Sequence, residues 1–220
     1  MENKMIENNE VRLSGIVKDI PIVTHEIDGE KFWELLLEVK RLSGVGDVLP
    51  VTIPEKLLET EGLNLRQGQS LSVAGELRSY NKLVGEKSKL IISTFAKSVH
   101  EVAENELVHE NYISLTGFIC KPPVYRTTPF NREICDAIIA VNRKNFKSDY
   151  LPLISWGRNA KYLQNLGVGT KINAEGRIQS RNYIKVIDGV SEERTAYEVS
   201  LQRLVNLDKV EKQDILEQAE

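Results

Sequence analysis

Cysteine is scarce: Cys120 and Cys135 are the two in 220 residues. They are too few for a disulfide framework and lack the paired spacing of a zinc site, so the chain is expected in a reducing compartment with both thiols buried as small apolar groups. His25, His100 and His109 form no metal-spaced set, and neither a P-loop nor a nucleophile elbow occurs. No catalytic residue, metal or cofactor is therefore expected, and the chain is read as a non-enzyme. No run of about eighteen apolar residues exists and the first residues are polar, which predicts no membrane span, no signal peptide and a cytoplasmic location. Charge of one sign is also lacking overall, with a net of −3. That average can conceal a basic half.

What is present is a repeat. Shifted by 102 residues, Asn9 to Pro54 falls on Asn111 to Trp156 without a gap, with nine identities in 46 positions, among them Leu13/Leu115, Gly15/Gly117, Arg41/Arg143, Asp47/Asp149 and Pro50/Pro152. At a shift of 101, Gly68, Gly75, Ser79 and Asn81 meet Gly169, Gly176, Ser180 and Asn182. The last segment resumes at 106, Phe95 over Leu201, which implies a loop five residues longer in the second copy. Insertions confined to loops mark one fold used twice. The expected domains are 1–102, an acidic linker 103–110, 111–207, and a short acidic tail 208–220.

Each copy opens with three strand patterns, in the first copy Val11–Lys18, Phe32–Arg41 and Val48–Ile53, where apolar residues alternate. A helical stretch follows, begun by Pro54 in one copy and covering Trp156–Leu166 in the other. Two strands close each unit: Ser70–Arg78 with Lys89–His100, and Lys171–Arg181 with Thr195–Leu207. Asp188-Gly189 gives a hairpin-turn signal between the last pair. Five strands with a helix between the third and fourth, in about 95 residues, make an OB-fold barrel. The predicted fold is all-β, two tandem five-stranded OB-fold barrels, with mid-strand Gly15, Gly75, Gly117 and Gly176 allowing tight bends.

The second copy resembles the bacterial single-stranded DNA-binding protein family in ordered blocks: Asn111-Tyr-Ile-Ser-Leu-Thr-Gly117, Val124-Tyr-Arg-Thr-Thr-Pro129 read as a loop, Ala140-Val-Asn-Arg143, Ile154-Ser-Trp-Gly157, and Glu175-Gly-Arg-Ile-Gln-Ser-Arg-Asn-Tyr183. The first copy matches only through the second, as in tandem two-barrel members. The resemblance implies sequence-nonspecific binding of single-stranded DNA in replication, recombination and repair, a nucleoid-associated location, and a homodimer that brings four barrels together. The segment Asp214-Ile-Leu-Glu-Gln-Ala-Glu220 does not match the family's acidic, Phe-tipped tail, so recruitment of replication or repair proteins through such a tail is not expected.

Holding unpaired DNA without reading sequence needs cations for phosphates and aromatic faces for bases. Between Asn111 and Val205 the second copy has 14 Lys and Arg against 8 Asp and Glu, whereas the first copy is slightly acidic. The phosphate candidates are Arg126, Arg132, Arg143, Lys144, Lys147, Arg158, Arg177, Arg181 and Lys185. Phe146, Tyr150, Trp156 and Tyr183 resemble the family's base-stacking aromatics, and Gly44, Val48, Pro54 and Lys82 replace them in the first copy. The second copy is thus expected to be the main DNA grip and the first an architectural barrel. Trp33 alternates with Leu35, Leu37 and Val39, and Tyr125, Tyr162 and Tyr197 lie on apolar patterns, so all four are assigned to core. Two rival functions are a scaffold whose first copy docks a partner, and an RNA or primosome-type OB module.

Overall fold

The computed structural model describes residues 8–84, 87–187 and 190–209. The Asp188-Gly189 turn and residues 210–220 of the tail lie outside them. The first repeat runs β1 (Asn9–Val17), β2 (Ile22–Ile27), β3 (Glu30–Lys40), β4 (Gly46–Pro54), α1 (Glu55–Glu61), β5 (Ser70–Val84) and β6 (Lys87–Glu101). The second runs β7 (Asn111–Ile119), β8 (Val124–Thr127), β9 (Glu133–Asn142), β10 (Ser148–Trp156), α2 (Gly157–Leu163), β11 (Lys171–Ile187) and β12 (Val190–Asn206). β1 pairs antiparallel with β3 and β5, β3 with β4 and β5 with β6, while β4 and β6 meet in parallel at Val51 and Thr94. These pairings close a five-stranded barrel. The second repeat closes identically through β7, β9, β10, β12 and β11. Both barrels have the predicted OB layout, the helix standing between the third and fourth barrel strands.

Alternation builds the interiors. Leu49, Val51 and Ile53 of β4 are fully buried, as are Ile113 and Leu115 of β7, and Cys135 packs with Ile139 and Val141 inside the second barrel. Each fully buried Leu or Ile contributes about 1.5–3 kcal/mol. A seven-residue helix is unstable alone. Here α1 buries Leu58 and ends on Gly62 at φ 61, while α2 buries Ala160 and Leu163. The barrel walls also demand glycine where strands cross closely. A Cβ on Gly117 would lie 2.4 Å from the Ala140 carbonyl oxygen, and one on Gly176 would lie 2.1 Å from that of Ser200. In both repeats an arginine is tied to a wholly buried aspartate: Arg41 Nε donates to Asp47 at 2.7 Å and Arg143 Nε to Asp149 at 2.7 Å.

Several expectations are corrected. Each repeat has a short extra strand, β8 in the segment read as loop and β2 in one assigned no element; exposed β2 shows no alternation to reveal it. The last hairpin strands reach Ile187 and resume at Val190, because a ribbon solvated on both faces tolerates the polar Asn182–Arg194 stretch. α2 ends at Leu163 rather than Leu166. Val51 pairs with Thr94 and Leu153 with Val199, so the final segments superpose at a shift of 105. Phe95 corresponds to Ser200 rather than Leu201, and the inserted loop is four residues longer. Trp33 is only half buried, Tyr162 is exposed, and Cys120 is partly exposed.

The chain separates into two compact units that do not coincide with the repeats. One holds Val11–Tyr112 with Ile178–Glu198, the other Ile113–Arg177 with the residues up to Glu10 and those from Val199 onward. In the former, Asp47 accepts the Ser180 N–H at 3.0 Å and the Val48 N–H donates to Ser180 Oγ at 3.1 Å, so the outer part of the second hairpin is fastened to the first barrel. The acidic stretch 103–110 contains a 3-10 turn and is fastened too: the Ser14 N–H donates to the Glu110 carbonyl and Arg12 pairs with its carboxylate, both at 2.9 Å. No helix among the described residues is long and apolar enough to cross a membrane.

Candidate nucleic-acid interface

Strand β10 places Tyr150 and Trp156 on the outer face of the second barrel, because Asp149, Leu151 and Leu153 turn inward. On the ladder Tyr150 lies opposite Ala140, and Ala140 lies opposite Phe118 of β7. Two exposed rings therefore flank a small residue on one row of the sheet. Strands stand about 4.8 Å apart, so the row leaves room for a flat base above Ala140. Phe118 was not singled out from sequence, yet its signal was there: Ile113, Leu115 and Ile119 point inward, which forces residue 118 outward. Phe130, also missed, is 87% exposed in the β8–β9 loop beside Arg132.

Phe146 projects from the β9–β10 turn, which is closed by the Arg143 N–H donating to the Lys147 carbonyl at 2.7 Å. Its ring is 103% exposed and its φ is 62, in the left-handed region. The corresponding first-repeat turn has Gly44 there, at φ 82. A bulky residue in that region is strained, and such strain persists where function uses it.

The nine candidate cations divide sharply. Arg126 is held by Asp136 at 2.8 Å, Arg143 by Asp149, and Arg181 lies 3.7 Å from Glu198. Arg177 also has a partner. Arg132, Lys144, Lys147, Arg158 and Lys185 carry no side-chain partner among the described residues. Arg143 is thus first a structural residue: its charge neutralises a buried carboxylate. Lys161 pairs with Glu133 at 2.9 Å, and Tyr125 donates to the same carboxylate at 2.7 Å, which with Lys161 holds Glu133 below the usual carboxylate range. Burial pushes the Cys135 thiol up to about 11, leaving it a neutral core group at physiological pH.

The four stacking candidates do not share a unit. Phe146, Tyr150 and Trp156 belong to the second barrel's unit, whereas Tyr183, Arg181 and Lys185 sit on the hairpin segment Ile178–Glu198 in the other. There the Arg181 guanidinium lies 5.7 Å from the Tyr183 ring centroid, a cation over an aromatic face. On the first barrel the row corresponding to Phe118, Ala140 and Tyr150 is Ile16, Glu38 and Val48. It has no ring, and its central acid is paired with Lys18 at 2.9 Å. No group of three or more His, Cys, Asp or Glu among the described residues could hold a metal ion.

Residues 110–207 match the model of the single-strand binding protein family. Single-stranded DNA-binding protein 1 of Staphylococcus aureus is 34% identical over 80 residues, covering 33% of this chain and 48% of that protein. The single-stranded DNA-binding protein of Streptococcus mutans is 35% identical over 81 residues, covering 33% of this chain and 49% of that protein. The chain spans about half the length of these curated relatives. The crystal structure of wild-type single-stranded DNA binding protein from Thermus aquaticus superposes with a TM-score of 0.72 at 21% identity, covering 90% of this chain and 92% of that one. That likeness extends the shared fold to both barrels. The family match falls on the barrel that carries the exposed rings and unpaired cations, so it is the second barrel that is similar to the single-strand binding protein family.

Proposed function

We propose that this protein binds single-stranded DNA with little sequence preference, coating strands exposed in replication, recombination and repair. The second barrel is the main grip: bases stack on Trp156, Tyr150 and Phe146, with Phe118 as an added face, while Arg132, Lys144, Lys147 and Arg158 meet phosphates. Tyr183 and Lys185 supply a further ring and cation from the hairpin. Two chains pair to bring four barrels together. The observation that carries this reading is the coincidence of exposed rings with unpaired cations on the second barrel, against the ring-free row with Glu38 at its centre on the first. Flat rings accept every base, which accounts for binding without sequence readout.

The test is titration with oligo(dT), followed by tryptophan fluorescence, in the wild type and in Trp156→Ala. Loss of one stack costs about 1–3 kcal/mol, so affinity should fall at least fivefold and most of the quenching should vanish. Unchanged affinity and quenching would remove Trp156 from the site. RNA of equal length competing as well as oligo(dT) would favour an RNA module instead.

A further inference from the structure

The first barrel, which lacks all four stacking candidates at their repeat positions, carries an open apolar groove of about 430 Å³ lined by Phe32, Pro54, Leu57 and Phe95. Phe32 of β3 lies opposite Pro54 on the ladder, and Phe95 of β6 sits beside Thr52. The two rings are 6.1 Å apart and tilted by 44°. His25 of β2 stacks on Phe32 at 4.7 Å with only 7° between the planes, bracing that ring. At the rim, Lys97 is bound by Glu76, whereas the exposed Lys56 side chain has no partner among the described residues.

The address of this groove is informative. At the repeat shift of 102, Pro54 corresponds to Trp156, Phe32 to Ile134 and Lys56 to Arg158. In the second barrel the ring stands on β10 opposite Ile134. In the first, proline takes the ring's place and the aromatic stands one ladder step across, on β3. The unpaired cation two residues into the helix region is kept in both. Ring and cation have therefore been rearranged at one place in the fold rather than lost. Strands β3, β4 and β6 are each paired on both sides, so the groove offers no backbone edge to an added peptide strand. What it offers is aromatic surface with one available cation.

We propose that this groove is a second nucleobase station: a base of single-stranded nucleic acid packs on Phe32 and Phe95 while an adjoining phosphate sits at Lys56. The proposal rests on the single-stranded DNA-binding reading above and adds a site to it on the first barrel.

The intact chain is photocrosslinked to oligo(dT) carrying 5-iododeoxyuridine, and the adducts are mapped by peptide mass. Affinities are measured for strands of about 8 and about 30 nucleotides, one and two barrels' worth, in the wild type, Phe32→Leu and Lys56→Glu. Adducts are expected at Phe32 or Phe95 as well as in the second barrel. Phe32→Leu should weaken the long strand roughly five- to a hundredfold and leave the short one unchanged. Lys56→Glu, on an exposed position that does not threaten folding, should weaken the long strand and flatten its salt dependence. Adducts confined to the second barrel, or both variants binding the long strand as the wild type does, would overturn the station while leaving the protein's general function standing, and would mark the groove for a protein partner. Failure of the wild type to bind either strand would instead overturn the parent reading.

Discussion

At the scale of single residues, Phe146 separates stability from function. A non-glycine residue in the left-handed region costs about 1–2 kcal/mol, and glycine there returns part of that gain through the extra freedom of the unfolded chain, about 0.4–1 kcal/mol. Phe146→Gly, which restores what Gly44 does in the first repeat, should therefore stabilise the protein by about 0.5–1 kcal/mol in urea denaturation. The same change should weaken oligo(dT) binding about tenfold. Stability and affinity rising together would show that the strained ring has no ligand to meet. Arg143 behaves in the opposite sense. Its partner Asp149 is wholly buried, so Arg143→Ala strands a carboxylate in the interior and should cost about 3 kcal/mol of stability. Lys144→Ala, one residue away on the exposed turn, should leave the unfolding free energy in urea within about 0.5 kcal/mol of the wild type. Equal stabilities for these two variants would mean that Asp149 finds another partner.

At the scale of elements, legibility followed burial. Strands with one face in the barrel announced themselves by alternation, as in Leu49, Val51 and Ile53. The two helices were found through Pro54 and Trp156, which begin them. Strand β2, exposed along its whole length, and the outer hairpin segments have no buried face to write a period into the sequence. The shift of 106 differs from the observed 105 for a related reason: β-branched and apolar residues on both faces of the final strands fit either register, and the ladder partners of Val51 and Leu153 fix it at 105. Phe118 is legible through the same alternation that places Ile113, Leu115 and Ile119 in the core, although no basic residue adjoins it. The mid-strand glycines were legible as bends, and the reason is now specific: Gly117 lets β7 approach the Ala140 carbonyl. Since the obstacle is backbone and cannot swing aside, Gly117→Ala should destabilise the fold by about 1–3 kcal/mol. A thermal melt unchanged by that substitution would show that the strand crossing has slack.

At the scale of the whole molecule, charge does more than the total suggests. The excess of base in the second repeat was visible in composition, but composition counts Arg126, Arg143 and Arg181 as available when each faces an acid. A cation already neutralised in the free protein releases fewer counterions from DNA, because its own pairing must be broken first. The salt dependence of binding should accordingly reflect the five unpaired cations rather than all nine candidates. With about 0.7 counterions released per single-strand phosphate contact, a plot of log affinity against log salt should fall with a slope of about −3.5 for a strand of about 8 nucleotides, too short to reach Lys56 as well, titrated across a salt series. Lys144→Ala and Arg158→Ala should each remove about 0.7 from that slope, and Arg126→Ala much less. A wild-type slope near −6 would show instead that the paired arginines abandon Asp136, Asp149 and Glu198 when DNA arrives, and that the acids of this barrel serve to hold its cations in place until then.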